Sequence, residues 1–142
     1  MAHRGASYQA PESTLPAVKA ALKSGIDYIE LDVQRTKDGE LVIFHDTNLL
    51  RLTNAKTLFP DKNNYELHNF TLKELKSLNY GTWFNIKNPE QASDGYSYLT
   101  IMTLEEVLDF VDPVNTGIGL ALELKSSYLY EGIEHEIVDL LA

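Results

Sequence analysis

Residues 27–35, Asp-Tyr-Ile-Glu-Leu-Asp-Val-Gln-Arg, alternate strictly. A period of two puts Ile29, Leu31 and Val33 on one face and Tyr28, Glu30 and Asp32 on the other, which predicts a strand with an aliphatic side and an acidic side. A parallel strand buried on both sides reads as a near-continuous apolar run, so two carboxylates on one face need a reason. The next residues, Lys37-Asp38-Gly39-Glu40, carry Asp-Gly between apolar runs, a strong hairpin signal. Residues 41–45, Leu-Val-Ile-Phe-His, are the return strand. A connection this short forces antiparallel pairing, because a parallel neighbour needs a crossover of about a dozen residues or more. His45 therefore rides on a hairpin excursion that turns back toward Glu30 and Asp32.

The other elements follow from capping and periodicity. Residues 13–25 predict a helix, with Ser13 or Thr14 as its cap, Pro16 in the first turn, an apolar stripe of Leu15, Val18, Ala21 and Leu22, and Gly25 as the left-handed residue that ends it. Residues 46–70 read as a polar loop and residues 80–98 as a second loop. Helices are expected from Thr71 and Thr103, each followed three residues later by a Glu that completes a capping box. Pro113 and Gly117 lead into a second alternating strand over 118–125, with Leu120, Leu122 and Leu124 on one face and Ala121, Glu123 and Lys125 on the other. A final amphipathic helix covers about 132–141. The opening residues, Met1 to Gly5, hold neither the basic nor the apolar region of a signal peptide and supply only the last residues of a strand for His3. Strands alternating with helices predict an α/β fold with parallel strands.

Composition excludes several function classes. Lys+Arg 12 against Asp+Glu 21 leaves a net charge of −9, which argues against binding a nucleic-acid backbone. No apolar run approaches the ~18 residues of a membrane-spanning helix. The absence of cysteine removes disulfides, thiolate metal sites and Cys nucleophiles. No Gly-x-Ser-x-Gly or phosphate-binding Gly-rich loop is present.

Glu30, Asp32 and Glu123 fall at matching positions, near the carboxyl ends of the two clear strands, where α/β folds build their sites. Three converging carboxylates repel one another unless a cation intervenes, and oxygen ligands suit a hard divalent ion, Ca²⁺ or Mg²⁺. His3, followed directly by Arg4-Gly5, and His45, returned by its hairpin, could supply one general base and one general acid. His68 in the polar loop and His135 in the last helix are read as structural or exposed. Arg4 and Lys125 add positive charge suited to an anionic substrate.

In order along the chain, His3-Arg4-Gly5, Pro11-Glu12, Gly25 to Val33, Thr36-Lys37-Asp38-Gly39, His45-Asp46, Thr71 to Leu75, Gly81-Thr82-Trp83-Phe84, Thr103 to Leu108 and Glu123-Leu124-Lys125 resemble the glycerophosphodiester phosphodiesterases. The resemblance covers nearly the whole chain. It implies a TIM-type (β/α)₈ barrel and the hydrolysis of glycerophosphodiesters to glycerol 3-phosphate and an alcohol. Carried over by motif, it implies His3 and His45 as the acid/base pair and Glu30, Asp32 and Glu123 as metal ligands. Arg4 and Lys125 then lie near the phosphate and Glu12 beside the site. Ser13 stands where the family usually has Asn after Pro-Glu. Phe59-Pro60-Asp61-Lys62 is similar to an insertion common in secreted and periplasmic members, which tilts the expected compartment that way rather than toward the cytoplasm.

Two rival readings are a related lipid phosphodiesterase of the sphingomyelinase D type and a catalytically incomplete barrel fragment that only binds. Length bears on the second. A (β/α)₈ barrel needs about 250 residues and eight strands, whereas these 142 residues hold three barrel strands, the first reduced to its end. The expectation is a single incomplete domain over 1–142, a partial barrel with a hairpin and helical insertion after its second strand. Its uncovered edges predict poor stability or self-association.

Overall fold

In a computed structural model, which describes residues 2–112, 116–124 and 130–141, the alternating segment forms the central strand of a mixed α/β sheet. That strand, β2 (Tyr28–Arg35), has a short parallel neighbour, β1 (Ala2–His3). The return strand β3 (Leu41–Ile43) pairs antiparallel with the upper half of β2, matching Val33 to Ile43 and Arg35 to Leu41. A two-residue strand, β4 (Met102–Thr103), continues antiparallel from β3. β5 (Gly119–Leu124) lies parallel to β2, in register from Tyr28–Gly119 to Val33–Leu124. Since β5 occupies one edge of β2, β1 and β3 share the other, one below the other.

The aliphatic face packs as its period dictates. Ile29, Leu31 and Val33 are completely buried in a core with α1 (Leu15–Lys23), α5 (Leu104–Val111) and α6 (Ile133–Leu141). The half-buried Leu120, Leu122 and Leu124 of β5 border it. Gly25 ends α1 at φ 69° as expected. The stripe on α1 differs from the one predicted. Leu15 is exposed and Ala17 is buried in its place. The cause is the turn after β1: Ala6 N donates to Ala17 O at 2.9 Å, and Gly5 lies so close that a Cβ there would come within 2.9 Å of Ala17. Thr14 takes the cap position, but its hydroxyl donates to Pro11 O instead of capping the helix.

Both segments read as loops are corrected. Residues 46–70 contain α2 (Ala55–Leu58) and a 3₁₀ turn at Leu67–Asn69, and they build a second core. There Leu49, Leu52, Ala55, Leu67 and Phe70 pack with Val42, Phe44 and Leu75 of α3 (Leu72–Lys76). These apolar residues are too widely interleaved with polar ones to show a period. Residues 80–98 contain α4 (Thr82–Lys87) and a 3₁₀ turn at Asp94–Tyr98. Asn79 Oδ1 accepts from Gly81 N and Thr82 N at 2.9 and 3.0 Å and so starts α4. The buried Phe84 ring meets Trp83 and Tyr96 edge-on.

The predicted capping boxes divide. At Thr71 the box is complete. At Thr103 the hydroxyl accepts from Glu106 N, while the Glu106 carboxylate pairs with Lys76 Nζ at 2.8 Å. Pro113 and Lys125 lie outside the described residues.

Candidate functional site

Strand register assembles the acidic group. Pairing of β1 with β2 sets His3 opposite Glu30, and pairing of β2 with β5 sets Asp32 opposite Glu123. One ligand oxygen from each of Glu30, Asp32 and Glu123 lies within 4.8 Å of the others. Two oxygens bound to one Ca²⁺ at about 2.3–2.6 Å can stand that far apart, so the spacing suits a shared cation. Asp32 is completely buried, Glu30 nearly so and Glu123 exposed. Glu30 Oε2 accepts from Arg4 N at 3.2 Å and stands 3.4 Å from His3 Nε2. Its buried Oε1 has no hydrogen-bond partner among the described residues. A buried carboxylate oxygen without a donor is costly, and a hard cation in this all-oxygen set would satisfy it. The acidic group therefore fits a hard divalent cation.

His45 reaches the site by the predicted route. Phe44 N donates to Asp32 O at 3.1 Å, which carries the next residue to the acidic end of β2. The strand itself stops at Ile43, two residues short of the predicted end. Beneath His45 lies Gln34, completely buried on the same face as Glu30 and Asp32. Its Nε2 donates to Phe44 O at 2.8 Å and to Asp46 O at 2.7 Å, gripping the chain on both sides of His45. Its Oε1 accepts from Tyr130 at 2.9 Å.

A closed ring of side chains holds the imidazole. Arg4 Nη2 meets His45 Nε2 at 2.7 Å, and Arg4 Nη1 donates to Glu12 Oε2 at 2.9 Å. Glu12 Oε1 accepts from Arg51 Nη2 at 3.1 Å. Arg51 also donates to Asp46, from Nε to Oδ2 at 2.8 Å and from Nη2 to Oδ1 at 3.0 Å. Asp46 Oδ1 lies 2.8 Å from His45 Nδ1, closing the ring. A guanidinium can only donate, so Nε2 of His45 presents its lone pair and Nδ1 carries the proton given to Asp46. Burial works against ionising Asp46, but hydrogen bonds from Arg51 and His45, with their charges, outweigh it and hold its carboxyl below the usual range. The same Asp46 contact raises the Arg51 guanidinium above its ordinary value. Arg4 takes a left-handed φ of 56°.

Of the residues expected at the site, Glu30, Asp32 and Glu123 converge with His3 beside them. His45 and Arg4 meet on the ring. Glu12 belongs to the ring as a holder of Arg4. Lys125 lies outside the described residues. His68 is half-buried with its ring edge-on to Tyr130, and His135 is exposed on α6. Arg51 and Gln34 carry no expectation from the sequence. Gln34 had a signal, since it continues the alternation of Glu30 and Asp32 by one more step. Arg51 had none, because its partners are 5 and 39 residues away.

Residues 3–141 match the Glycerophosphoryl diester phosphodiesterase family. A glycerophosphodiester phosphodiesterase of Bacillus subtilis is 42% identical over 138 residues, covering 97% of this chain and 43% of its own. One from Caldanaerobacter subterraneus is 38% identical over 97% of this chain and 50% of its own. An Oleispira antarctica phosphodiesterase, solved in complex with the product sn-glycerol-3-phosphate, superposes with a TM-score of 0.78 at 36% identity, covering 98% of this chain and 49% of its own. The chain thus spans about half the length of the curated relatives it matches.

Proposed function

The chain belongs to the glycerophosphoryl diester phosphodiesterase family, and on that premise we propose that its residues hydrolyse a glycerophosphodiester to glycerol 3-phosphate and an alcohol. The observation that carries this is the convergence of Glu30, Asp32 and Glu123 beside His3, with Arg4 bridging from Glu30 to the Asp46–His45 couple. The glycerol 3-phosphate bound by the Oleispira relative supports the substrate class. On this reading β1, β2 and β5 are three parallel staves of a (β/α)₈ barrel, and β3 and β4 belong to the insertion after the second.

A divalent cation, Ca²⁺ or Mg²⁺, held by Glu30, Asp32 and Glu123 supplies positive charge for a phosphate oxygen when bound. The chain's own groups handle substrate and protons. Arg4 binds the anionic diester, whose oxygen is a stronger acceptor for its guanidinium than an imidazole nitrogen. That frees Nε2 of His45 to take the proton of the attacking hydroxyl. Attack by water gives glycerol 3-phosphate directly, whereas attack by the neighbouring glycerol hydroxyl gives a cyclic phosphate that a water molecule then opens to glycerol 3-phosphate. Asp46 stabilises the resulting imidazolium through Nδ1. His3, beside Glu30 and open to solvent, donates a proton to the leaving oxygen as the phosphorus–oxygen bond breaks.

Release of glycerol 3-phosphate from glycerophosphocholine tests this. His3→Ala and His45→Ala should each abolish it, as should EDTA, with Ca²⁺ or Mg²⁺ restoring the wild type. Near-wild-type turnover in either variant overturns the assignment of roles. Faster turnover of a lysophospholipid than of the deacylated diester would move the substrate to the sphingomyelinase D type. The exposure of Glu123 favours a second reading, in which the 142-residue chain binds the cation without turnover. Calcium titration with no product would support it.

A further inference from the structure

We propose that Arg51 is a positioning residue that sets the tautomer of His45, acting on both ring nitrogens through two carboxylates. The proposal rests on His45 as the proton acceptor. Two routes leave one guanidinium and end on opposite sides of one imidazole. The first runs through Asp46, which Arg51 grips side-on at 2.8 and 3.0 Å and whose Oδ1 lies 2.8 Å from Nδ1. The second runs through Glu12 at 3.1 Å, then Arg4 at 2.9 Å, and reaches Nε2 at 2.7 Å.

The logic of donors makes the ring directional. Arg51 occupies both Asp46 oxygens and keeps the carboxylate ionised, so Asp46 can only accept and Nδ1 must carry the proton. Glu12, held on its other oxygen by Arg51, turns Arg4 so that its second nitrogen faces Nε2. Both ends demand the same tautomer, with Nε2 as the lone pair. A free histidine side chain favours the opposite one, with the proton on Nε2. Without Arg51, Asp46 and Glu12 each lose a fixed partner and the imidazole reverts toward its intrinsic preference.

Arg51 is the outermost member of the ring, its side chain 42% exposed against 7% for Glu12 and 20% for Asp46. An exposed ion pair of this kind ordinarily contributes little to stability. A merely structural Arg51 would therefore leave the chemistry of His45 alone. Lysine cannot replace the fork, because one ammonium group reaches one carboxylate at a time.

The test uses the ¹⁵N-labelled 142-residue chain, with long-range ¹H–¹⁵N correlation of His45 beside turnover of glycerophosphocholine. The wild type should show the Nδ1–H form. Arg51→Met should shift His45 toward Nε2–H and lower kcat by roughly ten-fold, with a smaller rise in KM as Arg4 loses its orientation, and Arg51→Lys should fall between. An unshifted tautomer in Arg51→Met overturns the proposal, as does a shifted tautomer at wild-type kcat. A rise in KM with kcat unchanged also overturns it, by making Arg51 a substrate contact. If Arg51→Met does not fold, Arg51→Gln gives the same readings. A wild-type chain that turns over no diester refutes the functional reading alone, and the tautomer then decides the role of Arg51.

Discussion

His45 is held by a carboxylate at one nitrogen and a guanidinium at the other, and this makes Asp46 the sharpest point for a single change. Asp46→Asn keeps an oxygen for Nδ1–H but removes the charge that stabilises an imidazolium. We expect kcat to fall about ten- to a hundred-fold. Calcium affinity, read by isothermal titration, should be unchanged because the acidic group is untouched, and a parallel loss of calcium binding would contradict the separation of ring and cation site. Gln34 acts on the same residue through the backbone. Gln34→Met preserves volume but leaves the carbonyls of Phe44 and Asp46 and the hydroxyl of Tyr130 without their partner. The expected cost is about 2 kcal/mol in urea unfolding, the penalty of unsatisfied buried groups. Wild-type stability would mean those groups find other partners. At this scale legibility follows chain distance. The carboxylates of β2 were readable because alternation alone puts them on one face. Glu123 joined them because its own strand alternates too. Arg51 was invisible, since its role exists only after Glu12 and Asp46 have been folded together.

Elements with local chemistry were readable, and elements sustained by distant packing were not. The Asp38-Gly39 hairpin and the Thr71 cap are written within a few residues. Segments 46–70 and 80–98 are structured by a second core whose members, from Val42 to Ile101, come from across the chain. The Thr71 box shows how far local chemistry goes. Glu74 Oε1 accepts from Thr71 N at 3.0 Å and Thr71 Oγ1 from Glu74 N at 3.2 Å. Thr71→Ala should cost about 1 kcal/mol. Thr103→Ala should cost less, since only half of that box is made. Equal losses in urea unfolding would show that the Glu74 half contributes nothing. The box also predicts a pH dependence. The backbone hydrogen bond from Thr71, aided by Lys62, holds the Glu74 carboxyl below its ordinary value of 4.5. Its contribution is therefore fully present above pH 4.5 and is lost as the pH falls through the lowered value. Glu74→Gln cannot titrate, so its melting temperature should fall less steeply on acidification than that of the wild type. Parallel slopes would refute the linkage.

For the molecule as a whole, the same sheet that assembles the site leaves an edge to be managed. β5 pairs with β2 along all six of its residues, and no strand covers its other edge among the described residues. Its aliphatic side chains are only half-buried, and Tyr28, Phe110, Val138 and Leu141 lie exposed. An open edge offers a row of unpaired N–H and C=O groups, and a second copy of the chain is an available partner for them. Opposing this is the net charge of −9. Like-charged copies repel over roughly 30 Å at 0.01 M salt, but over only about 3 Å at 1 M. The two tendencies therefore change places with ionic strength. Apolar burial and strand pairing act at contact and survive screening, whereas the repulsion does not. Sedimentation velocity should find monomer at low salt and concentration-dependent association at high salt. A cation held by Glu30, Asp32 and Glu123 would reduce the negative charge beside the same edge. Ca²⁺ should therefore lower the salt needed for association while raising the melting temperature, because it binds the folded chain alone. A chain that stays monomeric across this range and melts cooperatively would show that the β5 edge is already protected, and would overturn the expectation of poor stability or self-association.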